Sequence, residues 1–257
     1  MNILITLCGR AGSKGVKGKN ARDFMEIPLV WYSLAGIALY LEQYKGEDDI
    51  VDVVVNTDSD DLIRLVTSIS ELKITQLPRS EELAGDRVPK TAVILDSLKR
   101  AEAQFGTTYE VVVDLDITSP LRTVDDIHKA VERKRQRTDV NVVYSVVPSR
   151  RNPYFNMVKE ENGFFVDAFP SQFSTRQEAP TFYDMNASIY AYSAHALKSI
   201  PLSTFFNYNC DAIIMADTGV LDIDSEEDYE LMQVIAKYLI EHNDAFKEVY
   251  TKAKSWK

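Results

Sequence analysis

What most restricts the fold of this chain is an alternation of two patterns. Short, near-continuous runs of β-branched apolar residues, at 3–7, 51–55, 74–77, 111–113 and 142–147, are separated by longer stretches carrying helix-start signals. Apolar runs without polar alternation are what strands covered on both faces look like. Between them, Pro28 opens a helix running toward residue 41. Asp58 caps a helix that reaches residue 68, with Asp61 three positions on. Thr123 with Asp126, and Ser225 with Asp228, form capping-box pairs ahead of apolar-periodic segments. A βαβα rhythm of this kind predicts an α/β fold, a mainly parallel sheet sandwiched by helices.

Residues 150–190 break the rhythm. Pro153, Pro170 and Pro180 punctuate a stretch holding Tyr154, Phe155, Phe164, Phe165, Phe169, Phe173, Phe182 and Tyr183, with no long helical period. It reads as an inserted lobe of short antiparallel strands within a single 1–257 unit. So many aromatics need cover, and a second copy of the chain is one source of it.

Charge narrows the possible partners. Lys+Arg 29 against Asp+Glu 39 gives a net charge of −10, which argues against a general binder of nucleic-acid backbones. The basic run Arg133-Lys-Arg-Gln-Arg137 reads as the solvated end of a helix, where cations complement the dipole. Two cysteines, Cys8 and Cys210, make neither a disulfide framework nor a metal cluster. With no signal-peptide pattern at residues 1–7 and no membrane-length apolar run, the expectation is a soluble, cytoplasmic protein.

Positive charge is nevertheless concentrated in one place. Leu7-Cys-Gly-Arg-Ala-Gly-Ser-Lys-Gly-Val-Lys-Gly-Lys-Asn20 follows the first strand and holds Gly9, Gly12, Gly15, Gly18, Arg10, Lys14, Lys17 and Lys19, with no acid. Glycines let backbone N–H groups turn toward a ligand, and cations neutralise it. A loop at the carboxyl end of a parallel strand is also where open α/β sheets bind ligands. Together these predict a polyphosphate site. The spacing matches neither a Walker A loop nor a G-x-G-x-x-G dinucleotide loop.

Two acid pairs could serve that site. In Leu221-Asp-Ile-Asp-Ser225, Asp222 and Asp224 fall on the same side of an extended segment and could share a Mg²⁺ ion, which with a nucleoside triphosphate needs one or two protein carboxylates. Asp114-Leu-Asp116 closes another strand and resembles the D-x-D metal site of nucleotide-sugar glycosyltransferases. His128, His195 and His242 are scattered and suggest no catalytic role.

Taken together, these residues resemble the acylneuraminate cytidylyltransferases, which make CMP-activated nonulosonic sugars, over about residues 3–240. The resemblance rests on Arg10-x-Gly-Ser-Lys-Gly-x-x-x-Lys19-Asn20, Asn56-Thr-Asp-Ser59, Arg79 with Glu82-Leu-Ala-x-Asp86, Thr118-Ser-Pro-Leu-Arg122 and Asp222-Ile-Asp224, in that order. It implies a Rossmann-like nucleotidyltransferase sandwich with an inserted dimerisation lobe, and a homodimer. It implies that Arg10, Gly12, Ser13, Lys14 and Lys19 hold the triphosphate of CTP, that Asn20 and Arg79 contact the nucleoside end, and that Asp222 and Asp224 carry Mg²⁺. Lys19 and Arg10 would neutralise charge at the phosphates, with Asp222 or the metal as the base. Arg176 and Asn186, together with Asp116, would meet the sugar acid. Asp116 stands where the sialic-acid enzymes commonly have a glutamine, and Asp184 where some have an arginine. The Asp-Leu-Asp-Ile-Thr-Ser-Pro and Arg151-Asn-Pro-Tyr154 segments look more like the branch that uses legionaminic-type sugars. The rival readings are a glycosyltransferase using Asp114-x-Asp116, a cytidylyltransferase acting on an eight-carbon acid, and a non-catalytic nucleotide-binding protein.

Overall fold

The structure, a computed structural model, describes every residue except Ser13, Lys14, Asp86, Ser174, Arg176, Tyr208, Val220 and Leu221, and the side chain of Ser203. The strands are β1 (Asn2–Gly9), β2 (Asp23–Phe24), β3 (Ile27–Pro28), β4 (Ile50–Thr57), β5 (Ile74–Pro78), β6 (Val111–Leu115), β7 (Val142–Pro148), β8 (Val158–Glu161), β9 (Phe164–Asp167), β10 (Tyr183–Ser193) and β11 (Cys210–Ile214). The helices are α1 (Leu29–Gln43), α2 (Asp60–Thr67), α3 (Glu81–Ala84), α4 (Lys90–Phe105), α5 (Val124–Gln136), α6 (Ala194–Ser199), α7 (Glu226–His242) and α8 (Asp244–Lys254).

Seven strands form one sheet in the order β11-β7-β10-β6-β1-β4-β5. The β5–β4–β1–β6 half is parallel throughout, as the apolar runs predicted. Along β1 the side chains alternate between two fully buried layers. Ile3, Ile5 and Leu7 meet α1, α5, α7 and α8, while Leu4 meets α4 and α6. Both faces are covered, so the strand needs no polar side.

The structure corrects several readings. Strand β10 runs antiparallel between β6 and β7, so residues 183–193 belong to the main sheet, and the excursion is confined to the segment before them. Within that excursion β8 and β9 form the expected antiparallel pair. They are joined by Asn162-Gly163, both at positive φ (54° and 81°), the backbone twist that tight hairpins require. Helix α2 is capped by Ser59, whose hydroxyl accepts from Leu62 N at 3.3 Å, and not by Asp58. Nor is the basic run at 133–137 merely solvated. Arg133 and Arg137 both clasp Asp211 of β11, at 2.7 and 2.8 Å, and Arg135 reaches the buried Asp49 at 2.8 Å. These pairs pin α5 across the sheet. The boxes at Thr123/Asp126 and Ser225/Asp228 form as predicted.

The turn after β6 is held by a fully buried arginine. Arg122 donates through Nε and Nη2 to the carbonyl of Ser119, at 3.2 and 2.5 Å, and through Nη2 to the carbonyl of Asp116. Burial pushes its guanidinium down to about 10, against the pull of Asp116, Asp114 and Asp126. Truncation would strand those carbonyls in a dry interior. Arg122→Ala should therefore lower the unfolding free energy by about 3 kcal/mol in urea titrations. A loss under about 1 kcal/mol would mean that the guanidinium does not hold the turn.

Candidate active site

The carboxyl ends of β1, β4 and β6 open into a cleft of about 450 Å³. Its walls bring together Arg10, Lys19, Asn20, Arg79, Asp116, Asp222 and Asp224, residues nominated from four separate sequence segments. Open α/β sheets place ligands at this edge.

The glycine-rich loop is tied down at several points. Val16 is fully buried in the core, and Ala11 N donates to Asp58 Oδ1 at 2.8 Å. Gly18, at φ 63°, turns the chain into a short helical turn that presents Lys19 and Asn20. Asn20 is buried and donates to the carbonyl of Arg10 at 3.2 Å, closing the loop on itself. Gly12 lies on the exposed outer part, where a side chain would meet nothing. Ser13 and Lys14, expected on the triphosphate, lie outside the described residues.

The acid segment packs directly against this loop. A Cβ on Gly15 would come within 1.8 Å of the carbonyl oxygen of Asp224, so only glycine permits the approach. Lys19 Nζ donates to the carbonyl of Ile223 and lies 3.3 Å from Asp224 Oδ1. From the other side, Ile223 N donates to the carbonyl of Thr118 at 3.0 Å. Asp222 and Asp224 thus line the cleft next to the loop. Burial pushes the Asp222 carboxyl up to about 6, aided by repulsion from Asp224 and Asp116, while Lys19 opposes. Crowded oxygen donors of this kind suit a hard divalent cation, whose charge relieves the repulsion.

On the opposite wall Arg79 is aimed by Asn56. Its Nε donates to Asn56 Oδ1 at 3.0 Å and its Nη2 to the Asn56 carbonyl at 2.8 Å. Asn56 is itself buried and donates to Asp96 at 3.1 Å and to Ser97 at 3.1 Å. The Asn56-Thr-Asp-Ser59 segment is therefore scaffold. It orients Arg79, anchors Ala11 and caps α2.

Asn186 is not among the cleft-lining residues. It is buried beneath the cleft, with Nδ2 on Met215 Sδ at 3.3 Å and Oδ1 accepting from Ser145 Oγ at 2.5 Å. Arg176 lies outside the described residues.

One residue of the site went unnominated. Lys90, the first residue of α4, lines the cleft with its Nζ 2.7 Å from Asp114 Oδ2 and 2.7 Å from Asp116 Oδ2. Burial pushes the Asp116 carboxyl up, but Lys90 and two hydrogen bonds from Thr118, at 2.9 and 2.8 Å, outweigh it and hold the group at about 2. Only a weak sequence signal pointed to Lys90, a cation in a helix's first turn, where acids are favoured. Cys8, beside this cluster, has its thiol pushed up by burial and by Asp114, so it is no nucleophile.

A family model described as Cytidylyltransferase matches residues 5–235. The chain belongs to that family. Its relatives include a CMP-N,N'-diacetyllegionaminic acid synthase of Campylobacter jejuni, 36% identical over 233 residues, covering 91% of this chain and 94% of that protein. A post-translational flagellin modification protein B of Campylobacter coli is 34% identical over 235 residues, covering 91% and 95%. Among solved structures, a CMP:2-keto-3-deoxy-manno-octonic acid synthetase complexed with CTP superposes with a TM-score of 0.66 at 17% identity, over 93% of this chain and 99% of that one. That likeness confirms the nucleotidyltransferase fold. The glycosyltransferase reading loses its support, because its Asp114-x-Asp116 pair is clamped by Lys90 and the family is another one.

The Gly15 contact gives a direct test. In Gly15→Ala the loop and the acid segment must part, so turnover of CTP should fall at least about 100-fold, since roughly 1 Å of misplacement is worth that much, while the melting temperature changes little. Activity within threefold of the parent chain would show that the apposition is not needed.

Proposed function

We propose that this cytidylyltransferase activates a nonulosonic acid of the sialic or legionaminic type, joining it to CMP from CTP with release of pyrophosphate. The observation that carries the reading is the packing of the cationic loop on Asp222-Ile223-Asp224 in one cleft, a place for a triphosphate and for its counter-ion. The 36% identity to a legionaminic-acid enzyme supports the choice of sugar. Phosphoryl transfer leaves little covalent work for a protein, so positioning and charge neutralisation dominate. Arg10, Ser13, Lys14 and the backbone at Gly12 grip the triphosphate. Lys19, at the junction of loop and acids, neutralises charge that develops on the phosphates. Arg79 and Asn20 face the nucleoside, while Asp116 and Arg176 meet the sugar acid, and Asn186 shapes the strand beneath it.

Asp222 and Asp224 would hold Mg²⁺, which when bound neutralises the transferring phosphoryl group. A screen for pyrophosphate release, with CTP and a panel of nonulosonic acids, tests the activity; no release with any of them would end the reading. Asp222→Asn and Asp224→Asn should each lower turnover at least about 100-fold. The pH dependence follows from the raised Asp222 carboxyl. Without a cation its charge destabilises the fold above about pH 6, and that penalty fades as the pH falls through 6 toward the ordinary carboxylate value. Protons and Mg²⁺ then compete for it. The rise in melting temperature on adding a subsaturating amount of Mg²⁺ should be clearly larger at pH 7.5 than at pH 5, and Asp222→Asn should show little rise at either pH. A rise equal at both pH values would contradict the metal assignment.

We further propose a cytoplasmic homodimer that covers the β8–β9 hairpin. Phe164 and Phe165 are 73% and 75% exposed, and Val158, Phe169 and Met157 of the same excursion are exposed too. Among the described residues nothing of the same chain covers this patch. Sedimentation should find a dimer at micromolar concentration, and Phe164→Glu/Phe165→Glu should yield a folded monomer. A double variant that stays dimeric would place the interface elsewhere.

A further inference from the structure

The Lys90 cluster has a role that neither the fold nor the metal site requires of it. Two of its three charged groups, Lys90 and Asp116, line the cleft. Asp114 is fully buried, with Oδ1 accepting from Thr6 Oγ1 at 2.8 Å and Oδ2 facing Lys90. Asp116 has Oδ1 taken twice by Thr118 and Oδ2 taken by Lys90, yet its side chain keeps a fifth of its surface open to the cleft. The Lys90 side chain keeps about a third open. The ammonium donates a hydrogen bond to Asp116 Oδ2 and pairs with Asp114 Oδ2 by charge at 2.7 Å. One positive charge between two negative ones leaves the cluster with a single net negative charge, presented at Asp116.

We propose that Lys90 is a positioning residue that dedicates Asp116 to accepting a hydrogen bond from a substrate hydroxyl and bars a divalent cation from the Asp114–Asp116 pair. The physical case rests on sites and charges. Two aspartates at a strand end beside a phosphate loop are a cation trap, and without Lys90 they would compete with Asp222 and Asp224. An ammonium already seated 2.7 Å from both occupies the place the ion would take. With Oδ1 taken twice by Thr118 and Oδ2 once by Lys90, about one acceptor position of Asp116 remains, on Oδ2, which is what recognition of a single hydroxyl needs. The hydroxyl could come from the ribose of CTP or from the acceptor sugar. This part rests on the proposed reaction, whereas the cation part does not.

The test therefore begins without substrate. Mn²⁺ binding is titrated by electron paramagnetic resonance for the parent chain, Lys90→Met, Lys90→Arg and the triple variant Lys90→Met/Asp114→Asn/Asp116→Asn. Lys90→Met should gain one Mn²⁺ site per chain, and Lys90→Arg and the triple variant should not. Turnover then supplies the second readout. Lys90→Met and Asp116→Asn should each raise KM for one substrate by about tenfold, the cost of losing a charge-assisted hydrogen bond, with kcat changed less. Their double variant should be no worse than the worse single one, because the two residues act as a unit. A raised KM for CTP that 2′-deoxy-CTP does not show assigns the hydroxyl to the ribose; a raised KM for the sugar acid alone assigns it to the acceptor. Should Lys90→Met fail to fold, Lys90→Gln, which removes the ammonium charge but keeps a hydrogen-bond donor toward both carboxylates, replaces it in both assays. Unchanged Mn²⁺ stoichiometry, or KM effects of Lys90 and Asp116 that simply add, would overturn the proposal.

Discussion

The approach of Gly15 to the carbonyl of Asp224 is the contact on which the rest of the site depends. It joins a loop near the start of the chain to a segment about two hundred residues later, at a distance that no side chain on residue 15 would allow. Lys19 repeats the link through the Ile223 carbonyl, and Thr118 braces the same segment from the turn after β6. Three loops that follow β1, β6 and β11 are thereby locked to one another. Preorganisation of that kind matters most in phosphoryl transfer, where geometry and charge do nearly all the catalytic work.

An acidic chain needs a way to keep positive charge available for an anionic ligand. Here the cations of the cleft are handled in different ways. Arg79 is aimed by neutral Asn56, so its direction is fixed while its charge is not cancelled. Lys19 touches Asp224 at the edge of hydrogen-bonding range, and Asp224 is largely exposed, so this pair is weak and readily exchanged for phosphate. Lys90 is treated in the opposite manner and is consumed by two carboxylates. The acids divide in parallel. Asp116 is pulled down to about 2 by its lysine, and Asp222 is pushed up to about 6 by burial and its acidic neighbours. Two carboxyls in one cleft thus acquire opposite protonation tendencies from their surroundings alone.

The sequence made some of this legible for physical reasons. Strands buried on both faces must be apolar throughout, so β1, β4 and β6 announced themselves, as did the capping boxes of α5 and α7. The cationic loop was legible because glycines and lysines without acids have few structural uses. Other features left weak signals. Strand β10 is interrupted by Asn186-Ala187-Ser188, with Ala187 at φ 54° and a shift of register between Met185 and Tyr190, so it carries no clean alternation. Edge strand β11 is only half covered and correspondingly mixed in composition. The Asn162-Gly163 turn was readable in principle, but proline and aromatic content masked it. Lys90 could not be found from spacing, because its partners stand on a strand more than twenty residues away and a lone lysine at a helix start is unremarkable.

The antiparallel strand that obscured the topology also explains why the chain makes an excursion after β7. Because β10 enters between β6 and β7, the chain must travel from the end of β7 out and back before it can pair, and residues 149–182 are that journey. Its return is fixed by Ser149 N on the carbonyl of Phe182 at 2.9 Å, and by Asn152 Nδ2 on the carbonyl of Pro180 at 2.8 Å. The excursion therefore leaves and rejoins the sheet at one point. The bulge of β10 then supplies the Ser188 carbonyl that receives Asp116 N at 3.1 Å. Asn186, buried against Ser145 and Met215, holds that bulge in shape. A residue nominated for touching the sugar acts, in this geometry, one layer further back. It sets the strand that sets the aspartate, and the lobe hangs from the same strand, so the position of the lobe and the position of Asp116 are not independent.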